Sequence, residues 1–217
     1  MIVGMYMTRN VEVVSPTASL VEGIQKMSKR RIRRLVVTRG TSIVGIVTYR
    51  DIVEAFPPHI NPFSVIGVEQ ATVTGTIDAI MKRSVITIDE HDPVEHAAEL
   101  MTRHHIGCLP VTQREMLVGI ITESDIFRAF SKLLAEQDDA VRITFDLTER
   151  EKVLTFLEEA THMLDLDLLS FLTFHENDRR MAVARVHGAR VNELIDKLWE
   201  SGHSVVNVLR PERRGKS

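Results

Sequence analysis

One cysteine, Cys108, is all that the 217 residues hold, and a lone cysteine closes no internal disulfide. No apolar run reaches the roughly 20 residues that cross a bilayer. The opening MIVGMYMTRN is too short in its apolar part for a secretory leader and lacks a cleavage region. These absences predict a cytoplasmic protein with no membrane partner. A formal net charge of −3 at pH 7 gives no global attraction for nucleic acid, although basic residues cluster at Arg30, Arg31, Arg33 and Arg34 and in the terminal RPERRGKS. There is no glycine-rich phosphate loop of Walker or Rossmann type and no nucleophile in a recognisable elbow, so the chain is not expected to be an enzyme. His104, His105 and Cys108 could be imagined as metal ligands. Adjacent histidines leave a helix on different sides, however, and no partner spacing matches a zinc module, so neither a metal nor an obligatory cofactor is expected.

What is present is a repeat without a gap. Adding 74 to a residue number between Met7 and Phe56 returns the same residue type again and again: Met7 meets Met81, Val11 meets Val85, Met27 meets Met101 and Ile32 meets Ile106. Leu35, Val37 and Thr38 meet Leu109, Val111 and Thr112, and Gly45, Ile46, Thr48, Asp51 and Ile52 meet Gly119, Ile120, Thr122, Asp125 and Ile126. A repeat of this length is one supersecondary unit, too small to close its own core, that is stabilised by stacking on its copy. With 44% hydrophobic residues there is enough apolar surface for such cores.

Each copy reads strand, helix, strand, strand, helix. Val11, Val13 and Val14 form a short β-prone run, and Ser19-x-x-Glu22 resembles a capping box ahead of Leu20, Val21, Ile24 and Met27 on one helical stripe. The second copy is expected to open its helix with Asp92 as N-cap and Pro93 at the first helical position. Apolar strands follow at Leu35 to Thr38 and Ile43 to Val47, then at Leu109 to Thr112 and Leu117 to Ile121. Thr48 and Thr122 fall where the last strand turns into a helix. The proline-bearing residues 57–78 read as the connector between copies.

After Gln137-Asp138-Asp139 a new unit begins. Val141, Ile143, Phe145 and Leu147 alternate as a half-buried strand, and Thr148-x-x-Glu151 is expected to open a helix carrying Val153, Leu154, Leu157, Ala160 and Leu164. Two strands joined by the polar turn Glu176 to Arg179, a helix through Leu198 that stops at Gly202, and a strand Val205 to Leu209 complete the order βαββαβ, a ferredoxin-like plan.

The ungapped pair, the methionine near each start and the closing Gly-x-x-Thr-x-x-Asp resemble a tandem of CBS domains, the Bateman module, over about residues 1 to 135. The later unit resembles an ACT domain over about residues 140 to 210, and the two together resemble the AcuB-like acetoin-utilisation group. The fold class expected is thus α/β (α+β): tandem CBS repeats, each βαββα, followed by a ferredoxin-like ACT-type domain. The divisions are 1–56 for repeat 1, 57–78 for the connector, 79–135 for repeat 2, 140–210 for the ACT-like domain and 211–217 for a basic tail. The resemblance implies two clefts that take AMP, ADP, ATP or another adenosyl compound. Asp51 and Asp125 match the ribose-binding aspartate, and Thr48 and Thr122 match the phosphate-side hydroxyl. It further implies that Thr122 and Asp125 look toward Val11, Arg33 and Arg34, and that Thr48 and Asp51 look toward Val85, Gly107, Cys108 and Pro110. The first cleft is then expected to be basic and to suit a phosphate-bearing ligand. The second is expected to lack a cation and to suit an uncharged or cationic adenosyl group.

A carboxylate can accept both ribose hydroxyls, and a threonine at a helix start presents its hydroxyl beside free N–H groups. The same Thr-x-x-Asp is also a capping box that satisfies the helix's own orphan N–H groups, and both readings stand at this point. The function expected is a non-enzymatic sensor that binds an adenosyl ligand and relays occupancy through an ACT-like dimerisation unit, as a homodimer, to a regulated protein partner. The alternatives are a ligand-free oligomerisation scaffold and an amino-acid-responsive regulator. For the latter, the turn Leu147 to Arg150 offers no glycine for a close backbone approach. A nucleic-acid-linked role through the basic tail ranks last.

Overall fold

The computed structural model describes residues 1–56, 75–135, 139–148 and 152–211. Most of the connector, Glu151 and all but the first residue of the basic tail lie outside these. The chain folds as two units, Met1–Phe130 and Ser131–Ser217.

In the first unit each copy builds a three-stranded sheet with helices against it. In copy 1, β1 (Val13–Val14) runs parallel to β2 (Arg34–Arg39), which pairs antiparallel with β3 (Ser42–Thr48). Helix α1 (Leu20–Arg30) starts because the Ser19 hydroxyl accepts the Glu22 N–H at 3.1 Å, and it ends with Arg31 in the left-handed region at φ 54°. It turns Leu20, Val21, Ile24 and Met27 toward Leu35, Val37 and Val47 of the sheet. Helix α2 (Tyr49–Glu54) closes the copy.

After α3 (Ile77–Ile80), copy 2 repeats the plan: β4 (Ile88–Asp89), α4 (Val94–His104), β5 (Cys108–Gln113), β6 (Met116–Thr122) and α5 (Glu123–Ala135). The repeat extends to backbone detail. His105 caps α4 at φ 52° as Arg31 caps α1, and both strand pairs carry a register shift at the same place, Val37/Thr38 and Val111/Thr112. One local difference from the sequence reading appears, and one between the copies. Pro93, not Asp92, is the N-cap of α4; the Asp92 carboxylate accepts the Asp89 N–H instead and tightens the preceding turn. In addition, α2 has 6 residues where α5 has 13.

The copies exchange their opening segments. Val3 and Met7 are buried among Ile88, Val94, Met101, Leu109 and Ile121 of copy 2, while Ile77 and Met81 are buried among Leu20, Ile24, Ile52 and Val47 of copy 1. Matching hydrogen bonds fix both crossings. Val3 N–H donates to the Asp92 carbonyl at 2.9 Å and Ile77 N–H to the Ala18 carbonyl at 2.9 Å. Thr8 pairs with Ile120, and Lys82 with Ile46. Ile77, which the sequence reading gives to the connector, is thus wholly buried core of copy 1. Burial of a large apolar side chain contributes roughly 1.5–3 kcal/mol, so neither copy is complete without the other's leading segment. The sheets also meet along β3 and β6.

The second unit carries β7 (Val141–Asp146), α6 (Val153–Leu164), β8 (Asp167–Glu176), β9 (Arg179–His187), α7 (Val191–Glu200) and β10 (Val205–Leu209). The strand order is β10-β7-β9-β8, antiparallel throughout, which is the ferredoxin-like arrangement of a βαββαβ chain. Its core is its own: Ile143, Phe145, Ala182, Ala184 and Val186 of the sheet against Leu157, Ala160, Leu164, Leu194 and Leu198 of the helices. Asn177 and Asp178, both at positive φ, make the two-residue turn between β8 and β9. Thr148 does not cap α6. Its N–H and hydroxyl bond the Asp146 carboxylate, and the helix begins at Val153. No helix among the described residues is long and apolar enough to cross a membrane.

Candidate functional site

The two Thr-x-x-Asp motifs adopt one geometry. Thr48 ends β3, and its N–H donates to Asp51 Oδ2 at 2.7 Å. Its hydroxyl donates to the same oxygen at 2.6 Å and accepts the Asp51 N–H at 3.2 Å. In the second copy Thr122 N–H and hydroxyl reach Asp125 Oδ2 at 2.9 and 2.7 Å, and the Asp125 N–H reaches Thr122 Oγ1 at 3.4 Å. Each motif is therefore a complete capping box. The capping role that sequence left open beside the ligand role is present in both copies.

The second carboxylate oxygen separates them. Asp125 Oδ1 accepts Arg128 Nη1 at 2.9 Å, and Asp125 as a whole is only 6% exposed, so most of its acceptor capacity, roughly four lone-pair positions, is taken up from within the chain. At Asp51 the corresponding oxygen has, among the described residues, only Lys82 Nζ at 4.0 Å. The cause is a change of sign at one repeat position. Where copy 2 has Arg128, copy 1 has Glu54, which binds Arg50 at 2.6 Å and has no proton to donate to Asp51.

Beside Thr48 opens a cavity of about 420 Å³, within the range that holds small ligands. Copy 1 contributes Arg34, Ile46, Thr48 and Arg50; copy 2 contributes Lys82, Val85, His105, Gly107, Cys108 and Pro110, among others. The structure thus brings Thr48 together with Val85, Gly107, Cys108 and Pro110. Asp51 stands behind Thr48 and is not part of the lining, because Oδ2 is turned back into the capping box.

The arginines differ from expectation. Arg34 lines the Thr48 cavity, whereas the sequence reading places it in the Asp125 cleft. Its guanidinium passes over Gly107, where a Cβ would collide with Arg34 Nη2 and lie 2.8 Å from Glu123 Oε2. The cleft expected to lack cations therefore has Arg34 and Lys82 at its wall. The reason is register: Arg34 pairs with Thr48 at the start of β2, so it shares the side of the sheet end to which Thr48 belongs. Arg33 is exposed, and its carbonyl accepts the Tyr49 N–H at 2.8 Å. Val11 is half-buried, and its neighbour Glu12 binds Arg30 at 2.7 Å and Lys26 at 3.6 Å.

Cys108 is 6% exposed. Burial pushes its thiol up to about 11, against a smaller downward pull from Arg34 and an upward one from Glu123. The thiol is neutral near pH 7 and adds a soft apolar patch to the cavity wall, not a nucleophile. Among the described residues no group of histidine, cysteine and carboxylate side chains is arranged to hold a metal ion.

Comparison with known proteins bears on this site. The sequence model of the CBS domain matches residues 3–58 and 77–132. An uncharacterized protein of Methanocaldococcus jannaschii, MJ1225, is 34% identical over 129 residues, 58% of this chain and 46% of its own. A 33.4 kDa protein of Thermofilum pendens is 31% identical over 64% of this chain and 48% of its own length, so the chain spans less than half of these curated relatives. Among solved structures, the CBS domain pair of protein MJ0100, in complex with 5′-methylthioadenosine and S-adenosyl-L-methionine, is 29% identical with a TM-score of 0.51, over 61% of this chain and 97% of that one. A Vibrio cholerae chain provisionally assigned to acetoin utilization (AcuB) is 25% identical with a TM-score of 0.51, over 70% of this chain and 98% of that one.

Proposed function

The chain belongs to the CBS domain family, and from that premise we propose that it is a non-enzymatic sensor that binds an adenosyl ligand in the cavity beside Thr48. One observation carries the reading: the cavity is walled by both copies, with Arg34 and Thr48 on one side and Val85, Cys108 and Pro110 on the other. A ligand held there contacts both halves, and it favours whichever relative packing of the sheets fits it better. The MJ0100 pair, with 5′-methylthioadenosine and S-adenosyl-L-methionine bound, supports the ligand class. A neutral, buried thiol and two carboxylates engaged in helix caps favour binding over catalysis.

The second unit serves in this reading as an ACT-like relay and homodimer contact. Its sheet covers one face with helices, and on the other face Leu172, Phe174 and Leu209 are 37%, 40% and 52% exposed, with β8 and β10 as open edges. A second copy of the chain would cover that face. The regulated partner would then read the state of the dimer, in a cytoplasmic setting.

Thermal-shift measurement on the full chain with adenosine phosphates, NAD, S-adenosylmethionine and a panel of amino acids tests the reading. An adenosyl compound should raise Tm by mass action. Stabilisation by an amino acid alone would move the sensing role to the second unit, and no stabilisation by any of them would favour the ligand-free scaffold.

A further inference from the structure

We infer that the two clefts have diverged in role: the Thr48 cleft selects a phosphate-bearing ligand through Arg34 and Lys82, whereas Asp125 has become a structural cap latched by Arg128. This rests on the adenosyl-sensing reading and narrows it to one cleft and one charge class of ligand.

The latch is visible in the hydrogen bonds. Asp125 receives Thr122 N–H, Thr122 O–H and Arg128 Nη1, and at 6% exposure a ribose hydroxyl would have to compete with Arg128 for Oδ1. Asp51 receives the same two bonds from Thr48, whereas its Oδ1 has, among the described residues, the longer contact to Lys82 Nζ at 4.0 Å in place of a bonded arginine. The repeat makes the difference specific. Arg128 stands where Glu54 stands in copy 1, so a single sign change decides which aspartate is committed to its own helix.

The charge preference follows from what lines the open cleft. Helix α2 is too short, at 6 residues, for its dipole to hold a phosphate by itself, so the charge must come from side chains. Arg50 is already committed to Glu54. Arg34 projects into the cavity over Gly107, where copy 1 has Arg33 at the same repeat position and a side chain would fill the space. Lys82 is 66% exposed, and its backbone is fixed against Ile46 by two hydrogen bonds. Glu123 Oε2 stands at the same glycine and offsets part of the Arg34 charge, but Arg34 and Lys82 both line the cavity, and a planar guanidinium with a second cation matches phosphate oxygens and repels a sulfonium.

Calorimetry on the full chain with adenosine, ADP and S-adenosylmethionine tests this. The expected result is one ADP per chain, bound more tightly than adenosine or S-adenosylmethionine. Arg34→Gln should cut ADP affinity at least tenfold while changing adenosine affinity less than twofold. Lys82→Gln, at an exposed position that folding does not depend on, should shift the same ratio in the same direction. Equal weakening of ADP and adenosine in both variants, tighter binding of S-adenosylmethionine, or two equivalent sites per chain would overturn the inference and leave adenosyl sensing intact. Failure of the unmodified chain to bind all three compounds would overturn the sensing reading and the inference with it.

Discussion

Met7 lies across Gly119 of the other copy so closely that a Cβ built on the glycine would collide with the methionine sulfur, and Met81 lies across Gly45 in the same way, with the corresponding Cβ 2.6 Å from its sulfur. These four positions are two pairs under the 74-residue shift. They explain why the repeat keeps a flexible methionine at one end and a glycine in the middle of its last strand. The glycine lets the crossing segment approach the sheet, and the unbranched thioether fills the groove that this leaves.

Substitution of Gly119 should therefore cost stability through overpacking. Gly119→Val is expected to destabilise the chain by about 1–3 kcal/mol, because the added methyls meet the Met7 side chain and the Thr8 carbonyl, the latter 3.2 Å from the new Cβ. Met7→Ala empties part of the copy 2 core and should cost about 2–5 kcal/mol alone. The two should be strongly non-additive, since each relieves the other's defect. Denaturant melts of the two single variants and the double variant check this, and simple additivity would show that the residues do not share the site.

The two aspartates should separate in stability as they do in hydrogen bonding. Asp51→Ala removes a cap that is partly exposed and should cost roughly 1 kcal/mol. Asp125→Ala removes a buried carboxylate and leaves the half-buried Thr122 N–H and hydroxyl without their acceptor, besides releasing the surface Arg128; it should cost more, about 1–3 kcal/mol. Equal losses in urea melts would show that the Arg128 contact carries no weight.

Cys108 gives a pH signature. In the unfolded chain the thiol loses its proton near its ordinary value of 9.0, and in the fold burial holds it to about 11. The folded state therefore binds the proton more tightly. The resulting stability is fully present below pH 9 and is lost as pH rises through 11. Stability measured from pH 8 to 11 should fall more steeply for the natural chain than for Cys108→Ala. At pH 8 the thiol should react with a disulfide reagent far more slowly in the folded than in the unfolded chain, and Arg34→Gln should slow it further, because the cation that lowers the value is gone.

For the second unit, residues 139–217 alone should fold, since the core of Ile143, Phe145, Leu157, Ala184 and Leu194 draws on no residue of the first unit. Phe174→Lys puts a charge on the open sheet face and should convert the proposed dimer into a monomer that still unfolds cooperatively, at a Tm lower by the lost association energy, as light scattering and calorimetry would report. A full-length chain that is monomeric at micromolar concentration would remove the dimer and the relay proposed through it.

The sequence by itself determined the elements and their repetition. Amphipathic stripes, the Ser19 cap and the alternation of Val141, Ile143 and Phe145 are local, and local periodicity fixes helix or strand wherever one face must be buried. The recurrence of residue types at an offset of 74 likewise set the pairing of copies. The tertiary structure alone decided three things. It sent Val3 and Met7 into copy 2 and Ile77 and Met81 into copy 1, because a short apolar segment carries no mark of which sheet it will cover. It moved Arg34 to the Thr48 cavity, because the side of a strand end on which a residue falls depends on register with its neighbour. It also showed that the informative positions for function are not those the copies share. Thr-x-x-Asp recurs and serves both as helix caps. Glu54 and Arg128 differ in sign, and what that difference does to Asp51 and Asp125 depends on which side chains come within hydrogen-bond reach, a distance that only the folded chain sets.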